Sequence, residues 1–167
     1  MRYTPVLATL GYVLSEDGQR VLMVHRDRKV GDQHIGLYNG LGGKLERDED
    51  VVAGMRREIR EESGIECDEL QLRGTISWPG FGNDGADWFA FIFVVTRWHG
   101  EILSECPEAR LEWVDREKLA ELPMWEGDRH FLPLVFDLGG KQFHGVMPYL
   151  DRKPLSWSYT FLGERPA

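Results

Sequence analysis

The sequence is poor in cysteine: its two thiols, Cys67 and Cys106, stand far apart and form no C-x-x-C pair. Without a Cys/His array at ligand spacing, neither a zinc ribbon nor a disulfide framework has support. Two reduced thiols in a cytoplasmic chain are the expectation. Long hydrophobic runs are also missing. The apolar stretch 6–14 falls far short of the roughly 20 residues a membrane span requires. It lacks the basic lead-in and small-residue cleavage site of a secretion signal, so it reads as a first strand. The third absence is an excess of base. Asp and Glu outnumber Lys and Arg 28 to 20, for a formal charge of −8. That balance argues against a nucleic-acid polymer as partner, because such binders present a basic face to the phosphates. A small phosphorylated ligand stays compatible, since a bound cation can stand between two negative partners.

What remains is an ordinary globular composition, 42% hydrophobic and 29% charged over 167 residues. No repeat, low-complexity stretch or Ser/Pro-rich linker divides it, so one domain spanning 1–167 is expected. No protein partner is evident. Segments 6–14 and 20–26 read as strands joined by the turn residues Ser15-Glu16-Asp17-Gly18. Residues 27–48 are polar and glycine-rich, which predicts a long functional loop. Residues 49–63 predict a helix ending at Gly64. Strands are expected over 70–77, 86–98 and 111–114, then helices over 116–122 and within 128–138, where Pro133 obscures the start. Segments 143–150 and 155–161 predict a closing hairpin. The order predicts an α+β fold, a mixed β-sheet core sandwiched by helices.

The charge is not spread evenly: residues 43–69 hold ten acids against five bases, concentrated in the predicted helix and the turn after it. At about 100° per residue, Glu58, Glu61 and Glu62 share an arc of roughly 100°. Gly54 lies on the same face and leaves room for something to approach. Val51, Val52, Met55 and Ile59 occupy the neighbouring arc and are expected to anchor the helix. Three carboxylates on one face repel each other. They form either a solvated acidic surface softened by Arg57 and Arg60, or a site for a hard cation such as Mg²⁺ or Mn²⁺. The glycine loop at the helix entrance favours the cation, because exposed carbonyls there can complete its coordination.

The segment Gly43-x5-Glu49-x7-Arg57-Glu58-Ile59-x-Glu61-Glu62-x-Gly64-Ile65 resembles the Nudix box at every fixed position, a match with a chance probability of about 10⁻⁷ or less. The resemblance implies a Nudix-like fold whose loop-helix-loop bears the metal site. It also implies Mg²⁺-dependent hydrolysis of a nucleoside diphosphate linked to another group. By that resemblance Glu58, Glu61 and Glu62 are metal ligands, with the Gly42 carbonyl beside them. Arg57 orients the carboxylates, and Glu49, opposite Glu58 on the wheel, has a structural role at the helix entrance.

Further segments look like those of MutT-type 8-oxo-dGTP diphosphatases: Tyr38-Asn-Gly-Leu-Gly-Gly-Lys44, Glu105-Cys-Pro-Glu108-Ala-Arg-Leu-Glu-Trp113, Met124-Trp-Glu-Gly-Asp128 and Lys141-Gln-Phe-His-Gly145. They imply that Asn39 and Asp128 read the edge of an oxidised purine, and that Trp125 and Trp78 stack on it. Glu108 adds a metal ligand or assists the base, and Arg26 meets the phosphates. The chain departs from vertebrate members in carrying Gly127-Asp128 where they have two successive Asp. The alternatives are plain: Asn39 as a turn former, Asp128 as a helix cap, Trp125 as core and Glu108 as a surface acid. The five histidines show no ligand spacing. The implied chemistry is attack of water on the β-phosphorus, giving a monophosphate and pyrophosphate, with one of the glutamates as base. An ADP-ribose-type substrate remains open, since Pro79 lies fourteen residues after Ile65, near where that subgroup carries a proline. A non-catalytic nucleotide-binding domain would be expected to have lost box glutamates, and all are present.

Overall fold

The computed structural model describes residues 1–27, 35–106 and 109–163. The twelve strands are β1 (Val6–Leu14), β2 (Arg20–His25), β3 (Tyr38–Asn39), β4 (Leu41–Lys44), β5 (Glu66–Trp78), β6 (Trp88–His99), β7 (Glu105–Cys106), β8 (Ala109–Asp115), β9 (Phe143–Val146), β10 (Tyr149–Leu150), β11 (Lys153–Pro154) and β12 (Ser158–Phe161). Two α-helices, α1 (Val51–Ser63) and α2 (Asp128–Phe136), and a 3₁₀ helix over Arg116–Glu121 complete the described residues.

Ten strands form one mixed sheet in the order β12-β9-β5-β6-β1-β2-β8-β7, with β3 on β2 and β4 on β1; β10 and β11 form a separate two-stranded ribbon. Strand alternation explains why both faces are covered. On β1, Tyr12 and Leu14 enter one hydrophobic cluster while Val13 enters another. On β2, Val21 and Met23 face the first and Leu22 and Val24 the second. A strand buried on both sides reads as a continuous apolar run, and each face takes its own helix. Met55 and Ile59 of α1 pack in one cluster; Phe131, Leu132 and Val135 of α2 pack in the other. The α+β sandwich expected from the sequence is the fold observed.

The middle of the sheet positions the site. Strand β1 runs parallel to β6 along Val6–Val13, but its other edge is shared between two partners. Ala8–Gly11 pair with β4, and only Val13 and Leu14 pair with β2. Past that point β2 diverges and pairs β3 through Val24 and His25. The expected long loop over 27–48 is therefore partly strand. Glycine makes this possible: Gly42 has φ 149°, and a Cβ there would collide with the Thr9 carbonyl, so only glycine brings this backbone onto β1.

Four other expectations change. The acids after α1 lie in β5 rather than in a turn, where Glu69 meets Arg97 at 3.1 Å and Asp68 meets His99 at 2.9 Å. The segment after β8 is a 3₁₀ helix. No side chain caps its N-terminus, and Leu122, held extended before Pro123, stops it before it can lengthen. Pro133 falls inside α2, not at its start. The closing hairpin pairs β9 with β12 from Phe143↔Phe161 to Val146↔Ser158, and β10 and β11 leave it as a separate ribbon. Cys67 is a free, buried thiol, pushed up to about 11 by burial. Among the described residues no helix is long and apolar enough to cross a membrane.

Candidate active site

Helix α1 begins at Asp50, whose carboxylate accepts from the Val52 and Ala53 N–H groups at 2.9 Å each, and ends at Gly64 with φ 80°. Gly54, Met55, Ile59 and Ser63 are buried; Val52 is 36% exposed and lies outside the core, at the edge of the arc the wheel assigned. Gly54 makes room for the chain itself: a Cβ there would strike the Leu45 side chain and lie 2.9 Å from the Glu49 carboxylate.

Glu49 is held by Arg57, whose Nε donates to Oε2 at 2.9 Å and Nη2 to Oε1 at 2.7 Å. The bonds to Arg57 keep the Glu49 carboxyl down at about 2. The same guanidinium reaches the helix face. Nη1 donates to Glu58 Oε1 at 2.9 Å and to Glu61 Oε2 at 3.3 Å, and Nη2 donates to the Lys44 carbonyl at 3.2 Å. Arg57 thus ties the glycine strand, the helix entrance and two carboxylates together. The Glu58 carboxylate lies against Gly43, where a Cβ would stand 2.6 Å from Oε1. Glu62, like Glu58, is half-buried, while Glu61 is exposed. Burial first, then the charges of Glu58 and Glu61, push Glu62 up to about 8, while the charge of Arg26 and the nearby Gly42 backbone pull the other way.

Hard oxygen donors crowded until one prefers its proton are the donor chemistry a divalent cation relieves. The side chains are not closed into a cage: among the described residues, no three His, Cys, Asp or Glu converge to ion-holding distance. Gly42 borders the cleft beside Gly43, its backbone paired with Leu10 of β1. Glu108 lies outside the described residues.

A cleft of about 300 Å³ opens where β1 and β2 diverge, and it brings Asn39, Asp128, Trp125, Arg26 and Trp78 together. Arg26, Gly42 and Gly43 line it on the side of the carboxylates. Farther along, Phe81 joins the aromatic wall with ring centroids 5.4 Å from Trp78, 5.9 Å from Trp88, 6.0 Å from Trp125 and 5.1 Å from Tyr149. Three buried polar atoms on its lining residues, Thr9 Oγ1, Asn39 Nδ2 and Trp78 Nε1, have no hydrogen-bond partner among the described residues. Burial pushes the Asp128 carboxyl up to about 7, eased by Arg129. Asp128 caps nothing, since α2 has no side-chain cap, and Asn39 sits in a paired strand rather than a turn.

Sequence reasoning missed Thr9, Phe81, Trp88 and Tyr149. Thr9 had a signal, a hydroxyl in an otherwise apolar strand. Phe81, set between glycines in an irregular segment, had none. A larger hollow of about 440 Å³ between the 3₁₀ helix and α2 holds none of the predicted site residues.

A carboxylate-bearing helix entered through a glycine strand, beside an aromatic cleft on a mixed sheet, belongs to a class of α+β hydrolases. The chain is a member of the Nudix family, whose NUDIX domain model matches residues 4–135. It is 33% identical over 139 residues to the uncharacterized Nudix hydrolase YvcI of Bacillus subtilis, covering 82% of this chain and 83% of the relative. It is also 33% identical over 149 residues to the oxidized purine nucleoside triphosphate hydrolase of Mus musculus, covering 89% and 90%. The crystal structure of a MutT protein from Bacillus halodurans superposes with a TM-score of 0.78 at 29% identity, over 92% of this chain and 97% of that one.

Proposed function

We propose that this Nudix hydrolase cleaves purine nucleoside triphosphates, an oxidised purine such as 8-oxo-dGTP foremost, to the monophosphate and pyrophosphate. The observation that carries the reading is one continuous cleft: Arg26, Gly42 and Gly43 border it beside the box carboxylates, and aromatic walls with unpartnered polar atoms form the rest. A flat, hydrogen-bonding, anionic ligand suits those surfaces, and the likeness to the mouse hydrolase supports the same substrate class.

Glu58, Glu61 and Glu62 would hold Mg²⁺, with Mn²⁺ as a substitute, aided by Gly42 and by Glu108. When bound, such an ion neutralises phosphate charge and acidifies water. The side chains do the rest. Arg57 keeps Glu58 and Glu61 in place while fastened to Glu49, and Arg26 offers its positive charge to the phosphates. Trp125 and Trp78 give aromatic surface, and Asn39 donates to a base edge from the Nδ2 that has no partner among the described residues. Asp128, pushed up to about 7, holds a proton in part of the population at neutral pH and can donate as well as accept. Catalysis then rests on positioning and charge stabilisation, with one of the glutamates as base. A reduced cytoplasmic setting, where nucleotide pools are kept, accords with the free Cys67 thiol.

The test is hydrolysis of a panel comprising 8-oxo-dGTP, dGTP, the other triphosphates and ADP-ribose, with Mg²⁺ or Mn²⁺ and products separated. Preference for 8-oxo-dGTP with pyrophosphate release is expected. Preference for ADP-ribose over every triphosphate overturns the substrate, and no turnover with either ion overturns the activity.

A further inference from the structure

Strand β5 carries a buried arginine that pairs with no carboxylate among the described residues. Arg73 is 1% exposed, and its hydrogen bonds among the described residues all go to main-chain oxygens. Nε donates to Val135 at 3.1 Å and Nη1 to Gly140 at 3.2 Å. Nη2 lies 2.5 Å from the Asp137 carbonyl, 3.3 Å from Leu134 and 3.4 Å from Lys141. A β-bulge aims it there: β5 pairs Leu72 with Phe93 and Gly74 with Ile92, leaving Arg73 as the extra residue.

Burying a guanidinium away from any carboxylate is costly, so what it holds matters. Leu134 and Val135 lie in the last turn of α2, where carbonyls have no partner within the helix and the helix dipole favours a cation. The other three acceptors belong to the turn that follows. Pro133 removes one rung from the middle of α2, so this nine-residue helix depends on its ends. The far end begins at Asp128, and Arg129 beside it donates to the Ala120 and Leu122 carbonyls. Helix α2 is thus a strut about 13 Å long, anchored by guanidinium groups at both ends, with a cleft carboxyl at one of them.

We propose that Arg73 is a positioning residue for substrate recognition: by fastening the C-terminal carbonyls of α2 it fixes where Asp128 stands in the cleft. This rests on the reading that Asp128 meets the base. The α1 carboxylates belong to the other core and have their own clamp in Arg57, so loosening α2 alters binding rather than turnover. A purely structural role predicts the opposite split, a smaller folded fraction that lowers apparent kcat and leaves KM alone.

The experiment compares Arg73→Lys, Arg73→Met and Gly140→Ala with the wild type. The last keeps the arginine but sets a Cβ against the Asp137 carboxylate, which shifts the turn that supplies its acceptors. In the variants that fold, KM for the purine triphosphate is expected to rise about tenfold while kcat changes less than about threefold. Combined with Asp128→Asn, Arg73→Lys adds no further change in KM. Unchanged KM, or an additive effect in the double variant, overturns the proposal. The Asp128 carboxyl titration, followed by ¹³C NMR, is independent of activity. It falls by about one unit in Arg73→Lys or Gly140→Ala if α2 loosens, and an unmoved titration overturns the role. If the wild type hydrolyses no nucleotide, the proposed function fails while the titration still decides Arg73.

Discussion

Arg57 concentrates the most consequence in one side chain. Its bidentate hold on Glu49 and its reach to Glu58 and Glu61 make those two helix carboxylates a preorganised pair instead of freely rotating acids. The Glu61 side chain is 57% exposed, so its removal tests chemistry with little effect on packing. Glu61→Gln is expected to lower turnover about 100-fold or more at unchanged thermal stability, read as pyrophosphate release beside a melting curve. Full turnover would take Glu61 out of the site. Asp128→Ala should raise KM for the oxidised purine more than for a pyrimidine triphosphate. Equal losses for every nucleotide would mean that this carboxyl does not read the base.

Among the elements, α1 shows how tightly the box is packed against its own loop. Gly54→Ala places a methyl group against Leu45 and the Glu49 carboxylate. It should cost about 1–3 kcal/mol and, by displacing Glu49 from Arg57, also lower kcat; urea unfolding and steady-state kinetics report the two effects separately. Gly64 announces the end of this helix in the sequence, as do the paired apolar and acidic arcs before it, while its start, expected at 49, falls at Val51 after the Asp50 cap. The wheel misjudged Gly54 because it shows which residues share a face, not what a preceding loop folds back onto that face. The strands were legible by alternation and composition. The splitting of β1 between β4 and β2 was not, because glycine-rich segments read as loop whatever tertiary pairing they adopt. The cleft residues were placed by family likeness alone, since Asn39, Trp78 and Asp128 are brought together from distant parts of the chain. Arg73 read as one more charged residue in a strand, and only the bulge and the returning turn give it its partners.

For the whole molecule, half-buried carboxyls set the response to pH. Glu62, raised to about 8, and Asp128, raised to about 7, bind protons more tightly when folded than when unfolded. Their stabilising contribution is complete below about pH 4 and fades as pH rises toward 7–8. Glu49 acts the other way: held at about 2, it supports the fold above about pH 4.5 and ceases to as pH falls toward 2. Unfolding free energy in metal-free buffer is therefore expected to peak in mildly acidic solution and decline toward pH 8.5. Millimolar Mg²⁺ should restore stability on the alkaline side more than on the acidic side. Urea titrations at pH 5 and 8.5 with and without Mg²⁺ test this, and an equal Mg²⁺ effect at both would detach Glu62 from the ion. The two covered faces of the sheet carry a last implication. The carboxylate helix is rooted in one core and the helix bearing Asp128 in the other. Substitutions can accumulate on the α2 side, redrawing which molecule is accepted, while the reaction performed on it is inherited unaltered from the α1 side.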